Sequence, residues 1–272
     1  DANAPPTRGS NNAYQRSYRR AGMDDDRVRA TETSIRMLEG LIDLGGEAGI
    51  TELATHLSVA KSTVYKHLST LDSNGLVVKH GDRYRIGLRA LEFGGYAQRY
   101  DGVYDTARPQ LRKMADETGE LANLMFEEDG WGVYVHTSRG EDAVDIDTQT
   151  GRRAHLHATG LGKAILATLP EERVEAIVDS RGLPGVTEHA ITDRAELLAE
   201  LDEVRAEGIA YDREECVEGM ACIARPLSTP SERPAAISIT GPASRVSSGG
   251  TEATIRTVLE EAGNVIELEL TG

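Results

Sequence analysis

Apolar residues near the N-terminus recur at helical spacing in three short segments. They run from Thr33 to the Gly45-Gly46 pair, from Thr51 to Leu57 and from Lys61 to Asn74. In the third segment Val64, Leu68 and Leu71 share one face, and Gly75 is well placed to end a helix. Two strands around a short turn follow, at 76–78 and 84–86. The pattern predicts a helix-turn-helix with a two-stranded wing.

The rest of the chain has a different pattern. A further helical stretch covers about 88–104, and from about Ala107 strands and helices alternate. Apolar alternation predicts strands at 122–126, 132–136, 144–147, 209–212, 221–226 and 235–240. Helical spacing predicts helices at 109–118, 160–168, 171–179, 193–207 and 252–263. These elements predict an α+β domain with a mostly antiparallel sheet.

The first 26 residues show no such periodicity. They combine proline, glycine and asparagine with an acidic run at 24–26 and almost no aliphatic residues. This composition predicts a disordered tail over 1–26. Met23 lies inside it, and the sequence leaves open whether translation starts there.

Charge is spread unevenly along the chain. The net charge is -15, yet residues 61–89 carry six basic residues and only two acidic ones. This basic island coincides with the third predicted helix and the wing. A local positive region in an acidic chain is typical of a surface that binds nucleic acid.

The third helix also carries side chains suited to DNA. Short donors, one cation and one phenol lie opposite or beside its apolar face, and two arginines alternate on the wing. The candidate DNA-binding residues are Lys61, Ser62, Thr63, Tyr65, Lys66, Ser69, Arg83 and Arg85. The alternative is a solvated helix face beside a charged hairpin. The coincidence with the basic island favours DNA binding.

Composition bears on the host and the compartment. The chain has five lysines against 25 arginines. An acidic, lysine-poor surface indicates a halophilic, haloarchaeal host, the alternative being an ordinary acidic protein. We find no secretory signal and no apolar run long enough to span a membrane, and we expect a cytoplasmic protein.

Several kinds of catalytic and metal site find little support. The spacing of Cys216 and Cys222 fits neither a disulfide scaffold nor a zinc ribbon. The segment 160–164 lacks the glycine and the hydroxyl residue that a phosphate loop requires. Neither serine nor cysteine occupies a nucleophile elbow. We therefore expect no enzyme activity, no cofactor and no metal, although a metabolite-binding protein with a vestigial helix-turn-helix remains the alternative.

Three segments carry a family resemblance. The stretch from Thr51 to Gly95, including LSVAKSTVYKHL at 57–68, resembles the N-terminal domain of the IclR family of regulators. Two further segments resemble its C-terminal domain: HATGLGKA at 157–164, and the stretch from GIAYD at 208–212 through Glu214-Glu215, Gly219 and Ile223-Ala224 to AISITGP at 236–242. The match covers most of 31–270 in the expected order, and the C-terminal segments agree better than the N-terminal ones.

The resemblance implies a DNA-binding regulator with a sensor domain. It implies a winged helix-turn-helix over 27–87, a linker helix over 88–106 and a GAF-like α+β effector-binding domain over 107–272. It further implies a homodimer or dimer of dimers on palindromic operator DNA, controlling a catabolic operon in response to a small organic acid or sugar-derived metabolite. Activators and repressors both occur in the family.

By position, the family's effector pocket falls on six residues. They are Gly160, Leu161, Asp212, Cys222, Ser238 and Thr240. The first two open a predicted helix whose free N–H groups suit a carboxylate, and the last two share a strand face. Asp212 has the alternative role of capping a turn, and Cys222 that of a small buried apolar residue.

Overall fold

The computed structural model describes residues 28–146 and 149–272. The predicted tail, 1–26, and Met23 lie outside the described residues. The chain forms two compact units, one ending at Ala97 and the other beginning at Gln98.

The first unit has the predicted helix-turn-helix and wing. Its elements are α1 (Arg29–Asp43), β1 (Glu47–Gly49), α2 (Ile50–Leu57), α3 (Lys61–Ser73), β2 (Val77–His80), β3 (Arg83–Ile86) and α4 (Ala90–Gln98). Met37, Leu53 and Leu68 meet in one core because each helix turns its apolar stripe inward. Ser58, in the left-handed conformation, makes the sharp turn between α2 and α3.

Strand β1 was not predicted. It pairs antiparallel with β3 in a sheet of order β1-β3-β2, with Glu47 opposite Arg85 and Gly49 opposite Arg83. A segment of three residues is too short to show the alternation typical of a strand, so β1 is recognised only by its pairing with β3.

The second unit is α+β, as predicted. Its elements are α5 (Val103–Thr118), β4 (Leu121–Glu128), β5 (Trp131–Arg139), β6 (Arg153–His155), α6 (Gly160–Thr168), α7 (Glu171–Arg181), α8 (Arg194–Glu207), β7 (Ala210–Arg213), β8 (Met220–Leu227), β9 (Ala235–Pro242), α9 (Ala243–Val246) and α10 (Gly249–Thr271). The six strands pair antiparallel throughout, in the order β6-β5-β4-β9-β8-β7.

Helices cover both faces of this sheet. On one face α5 and α10 pack against alternate residues of the central strands, among them Leu124 and Ile237. On the other face α6, α7 and α8 pack against the intervening residues, among them Met125 and Ala236. Because successive side chains alternate between faces, Asn123 on β4 shares the face of Met125 and α6.

Two predicted elements were wrong. Of the strand predicted at 144–147, residue 147 lies outside the described residues and 144–146 form no strand; the third strand of this region is β6 instead. The apolar alternation around Val144 belongs to a loop, where its carbonyl accepts a hydrogen bond from Arg139.

The expected helix over 88–106 is not one helix. It is broken between Gln98 and Val103, where Gly102 has a φ of 79°. Val103 and Tyr104 are buried in the core of the second unit, so helical spacing continues across a break in the helix.

Candidate DNA interface and effector site

Helix α3 presents the predicted polar face to solvent. Lys61, Ser62, Tyr65, Lys66 and Ser69 are exposed and Thr63 is half-buried, while the apolar stripe of the helix is buried. No side chain caps its N-terminus. The first backbone N–H groups of the helix therefore have no capping side chain, as at helix starts that bind phosphate.

Arg83 is engaged in ion pairs on the protein itself. Its guanidinium lies 3.0 Å from a carboxylate oxygen of Glu47 and 3.1 Å from one of Glu52. Glu52 also accepts the backbone N–H of Gly49 at 2.7 Å; this bond, and Arg83 after it, lowers the pKa of Glu52 despite partial desolvation. Arg83 therefore ties β3 to β1 and to the start of α2. Arg85, two residues on, is exposed.

The six predicted effector residues come together on the α6 face of the sheet. Asp212, Cys222 and Thr240 stand in register across β7, β8 and β9. Ser238 lies two residues before Thr240 and shares its face. All three strands thus point polar groups at the start of α6, where Gly160 and Leu161 lie.

Gly160 allows this close approach. A Cβ at this position would lie 3.1 Å from Sγ of Cys222 and 3.3 Å from the backbone nitrogen of Asp212. Thr159 caps the helix by accepting the N–H of Gly162 at 2.9 Å. The helix start is therefore seated directly on β7 and β8.

Asp212 is buried and holds a turn. Its Oδ1 accepts the N–H groups of Glu215 at 2.8 Å and Cys216 at 3.3 Å. Burial, with the charge of Glu215 beside it, raises the pKa of Asp212 to about 7. The geometry thus includes the turn-capping role foreseen as an alternative, and the group can exchange a proton near neutral pH.

Cys222 is buried at the centre of the same face. Burial, with the nearby Asp212, raises the pKa of its thiol to about 12, against hydrogen bonds from Thr240, Ser238 and the backbone of Leu161. The thiol therefore stays neutral, and its packing agrees with the alternative of a small buried apolar residue.

Sequence reasoning missed several polar residues of this site. Asn123 is fully buried, and its amide nitrogen donates to Oγ of Ser238 at 3.3 Å and Oγ1 of Thr240 at 3.2 Å. Lys163 is also buried, and it pairs with Glu200 and Glu215. Burial raises the pKa of the nearby Tyr134 well above its ordinary value. Asn123 breaks the apolar alternation of β4, and that break was the available signal.

The described part of the chain offers neither a metal cluster nor a membrane-spanning helix. Among residues 28–146 and 149–272, we find no group of three histidine, cysteine or carboxylate side chains placed to hold a metal ion. No helix in these ranges is both long and apolar enough to cross a membrane.

Comparison with known proteins identifies the family. The IclR helix-turn-helix domain matches residues 32–81, and the domain described as the bacterial transcriptional regulator IclR C-terminal matches residues 96–267. The chain belongs to the IclR family of transcriptional regulators. The proteins matched are regulators of transcription rather than enzymes.

Individual relatives agree over most of their length. The regulator BhcR of Paracoccus denitrificans is 32% identical over 242 residues, which are 88% of this chain and 86% of BhcR. The crystal structure of Thermotoga maritima IclR matches with a TM-score of 0.74 and 26% identity, over 88% of this chain and 98% of that one. An IclR homologue from Microbacterium hydrocarbonoxydans, complexed with 4-hydroxybenzoate, shares the fold at 20% identity, with a TM-score of 0.76 over 89% of this chain and 99% of its own.

Proposed function

We propose that this IclR-family regulator reads its operator with the exposed face of α3. Lys61, Ser62, Thr63, Tyr65, Lys66 and Ser69 would enter the major groove, with Arg85 on a neighbouring phosphate. The ion pairs of Arg83 with Glu47 and Glu52 give that residue a supporting role, in which it holds the wing strand against α2.

We propose that the second unit senses a small organic acid at the start of α6. The observation that carries this proposal is the close contact of Gly160 with Cys222, which brings the first residues of α6 beside the strands that carry Cys222, Ser238 and Thr240. Backbone N–H groups at a helix start and hydroxyl groups suit a carboxylate. Asp212 and Cys222 would border the acid. The complex of the Microbacterium homologue with 4-hydroxybenzoate supports an acid of this class.

We propose that the protein works as a homodimer or dimer of dimers. Helix α4 buries none of its residues, and Leu91, Phe93 and Tyr96 on it are more than half exposed. An exposed apolar surface of this kind favours burial against a second copy of this chain. A dimer would also match a palindromic operator.

We propose a cytoplasmic regulator of a catabolic operon in a halophilic, haloarchaeal host. A protein that reads genomic DNA has to reach it, and the chain carries a net charge of -15 with only five lysines. At molar salt the release of counterions adds little to DNA affinity, so base contacts would carry more of it. Operator binding that is lost well below molar salt would contradict the halophilic host.

The DNA interface is tested by a matched pair of lysines. Lys66 lies on α3, whereas Lys113 is exposed on α5 in the second unit. We expect Lys66→Ala to weaken binding to DNA from the upstream region of its own gene about tenfold or more, and Lys113→Ala to leave it unchanged. Equal affinity of both variants in a mobility-shift titration would remove the α3 face from the interface.

A further inference from the structure

Asn123 forms the centre of a buried polar cluster on the sheet. It lies on β4 between Thr137 of β5 and Ser238 of β9, and it is paired in register with both. Its side chain is fully buried. The Nδ2 atom donates to Ser238 and Thr240, and Oδ1 accepts the hydroxyl of Thr137 at 2.9 Å.

This arrangement assigns a direction to each hydroxyl. A serine or threonine hydroxyl has one proton to donate and lone pairs to accept with. Ser238 and Thr240 both accept from the Asn123 amide, so their own protons are available to another acceptor. The Thr137 hydroxyl, on the opposite side, donates to Asn123 and keeps the amide in this orientation.

The hydroxyl protons of Ser238 and Thr240 are directed toward the same region of the site. Thr240 pairs in register with Cys222, and the hydroxyls of Thr240 and Ser238 and the backbone N–H of Leu161 lie close enough to the thiol to lower its pKa against burial. Sulfur is a weak acceptor. These donors therefore face the sulfur beside the α6 N-terminus, and a carboxylate oxygen placed next to that sulfur would accept from them more strongly than sulfur does.

We infer that Asn123 determines which groups of the effector site donate hydrogen bonds to the ligand and which accept them. It is a positioning residue that turns Ser238 and Thr240 into donors, and it thereby selects a carboxylate over the neutral amide of the same shape. The inference rests on the proposed effector site and adds to it the residue that decides the class of ligand.

Two substitutions separate this role from a purely structural one. Asn123→Asp keeps the shape of the side chain, but its carboxylate can only accept hydrogen bonds. The hydroxyls of Ser238 and Thr240 would then donate to that carboxylate, and they would present lone pairs instead of protons to the ligand. Asn123→Leu keeps the size and adds no charge, but it leaves the hydroxyls undirected. A structural role predicts that both variants lose stability while their preference between acid and amide stays unchanged.

The experiment measures that preference by calorimetry. The probes are glycolate, pyruvate and 4-hydroxybenzoate, each beside its amide. We expect the wild type to bind at least one acid about tenfold or more tightly than its amide. The preference should shrink severalfold in Asn123→Leu and vanish or reverse in Asn123→Asp. Thr257→Ala, an exposed position on α10 away from the site, is the control and should retain the full preference.

The outcomes distinguish this inference from the proposed function. A wild type that binds no acid better than its amide contradicts the carboxylate site itself. A wild-type preference that persists in Asn123→Leu overturns the role of Asn123 alone. Should the variants fail to fold, a neutron structure of the wild type decides. Deuterons of Ser238 and Thr240 directed toward Cys222 support the inference, and deuterons directed at Asn123 overturn it.

Discussion

The ammonium of Lys163 lies 2.7 Å from Oε1 of Glu215, and neither side chain is more than 8% exposed. The same ammonium lies 2.8 Å from Glu200 on α8. Glu215 in turn donates its backbone N–H to Asp212. A buried cation on α6 therefore holds both α8 and the turn that positions Asp212.

Removing this cation should destabilise the second unit. Lys163→Met leaves the Glu215 carboxylate buried without its charge partner, at a cost of about 3–5 kcal/mol. We expect this loss in the free energy of unfolding measured by urea denaturation. Lys113→Met, on the exposed face of α5, is the control and should change it by about 0.5 kcal/mol or less. An equally small loss for Lys163→Met would refute the structural role of the pair.

Acid binding should weaken as pH rises through about 7. The pKa of Asp212 is raised to about 7 by burial and by Glu215, with Lys163 opposing the shift, so Asp212 is neutral below that pH and anionic above it. An anionic Asp212 repels a carboxylate, and one linked proton gives a slope of at most about tenfold in Kd per pH unit. Titrations from pH 6 to 8 with pyruvate or 4-hydroxybenzoate measure it. Asp212→Asn should flatten the profile.

The same group should also affect stability. Its folded pKa lies above the ordinary value of 3.8, so the folded chain holds this proton more tightly than the unfolded chain. The contribution of Asp212 is fully present below pH about 4 and is lost as pH rises to about 7. The difference in unfolding free energy between wild type and Asp212→Asn should follow that window. A difference constant with pH would contradict the raised pKa.

The two wing arginines should behave differently. Arg85→Ala should weaken operator binding and reduce the slope of log affinity against log salt by about 1, as expected for one lost phosphate contact. Arg83→Ala should have the smaller effect on the slope and should lower stability by at most about 1 kcal/mol, because its ion pairs are half exposed. A larger change in slope for Arg83→Ala would place that residue on the DNA instead.

Gly160 offers a test of the close contact between α6 and the sheet. A methyl group there would press on Cys222 and Asp212, so Gly160→Ala should cost about 1–3 kcal/mol of stability and reduce acid binding while operator binding persists. Gly250 has open space around it, and Gly250→Ala is the matched control. Thermal unfolding and acid titration of both variants measure the effect, and identical behaviour would show that the contact is unimportant.

Local patterns predicted the elements better than the buried polar network. Val64, Leu68 and Leu71 repeat within one helix, so their spacing alone indicated α3 and its exposed face. Lys163 finds its partners 37 and 52 residues away, and Asn123 meets Ser238 and Thr240 across 115 and 117 residues. The Asn123 pairs arise from the strand register and the Lys163 pairs from the packing of α6 against α8 and the turn after β7, and no local period encodes either. The six residues that the family resemblance named do lie together at the start of α6, and their role in effector binding stays a prediction.

Errors in the prediction have related causes. The alternation at 144–146 suggested a strand, but a strand also has to pair with a neighbouring strand. The free edge of β5 is paired with β6 instead. The helical spacing over 88–104 hid the break at Gly102, because periodicity continues in register on both sides of it. The ion pair of Arg83 with Glu47 was not foreseen because β1, which supplies Glu47, was too short to recognise, and the DNA contact of Arg83 stays a prediction.

The central claim is that acid binding at the start of α6 changes the affinity of the protein for its operator. The most direct measurement is the operator Kd with and without saturating acid, for the wild type and for Ser238→Ala, with the exposed Thr257→Ala as control. We predict a change of about fivefold or more in the wild type and in Thr257→Ala, and none in Ser238→Ala, which should bind the operator normally without acid. An unaltered response in Ser238→Ala would contradict the account.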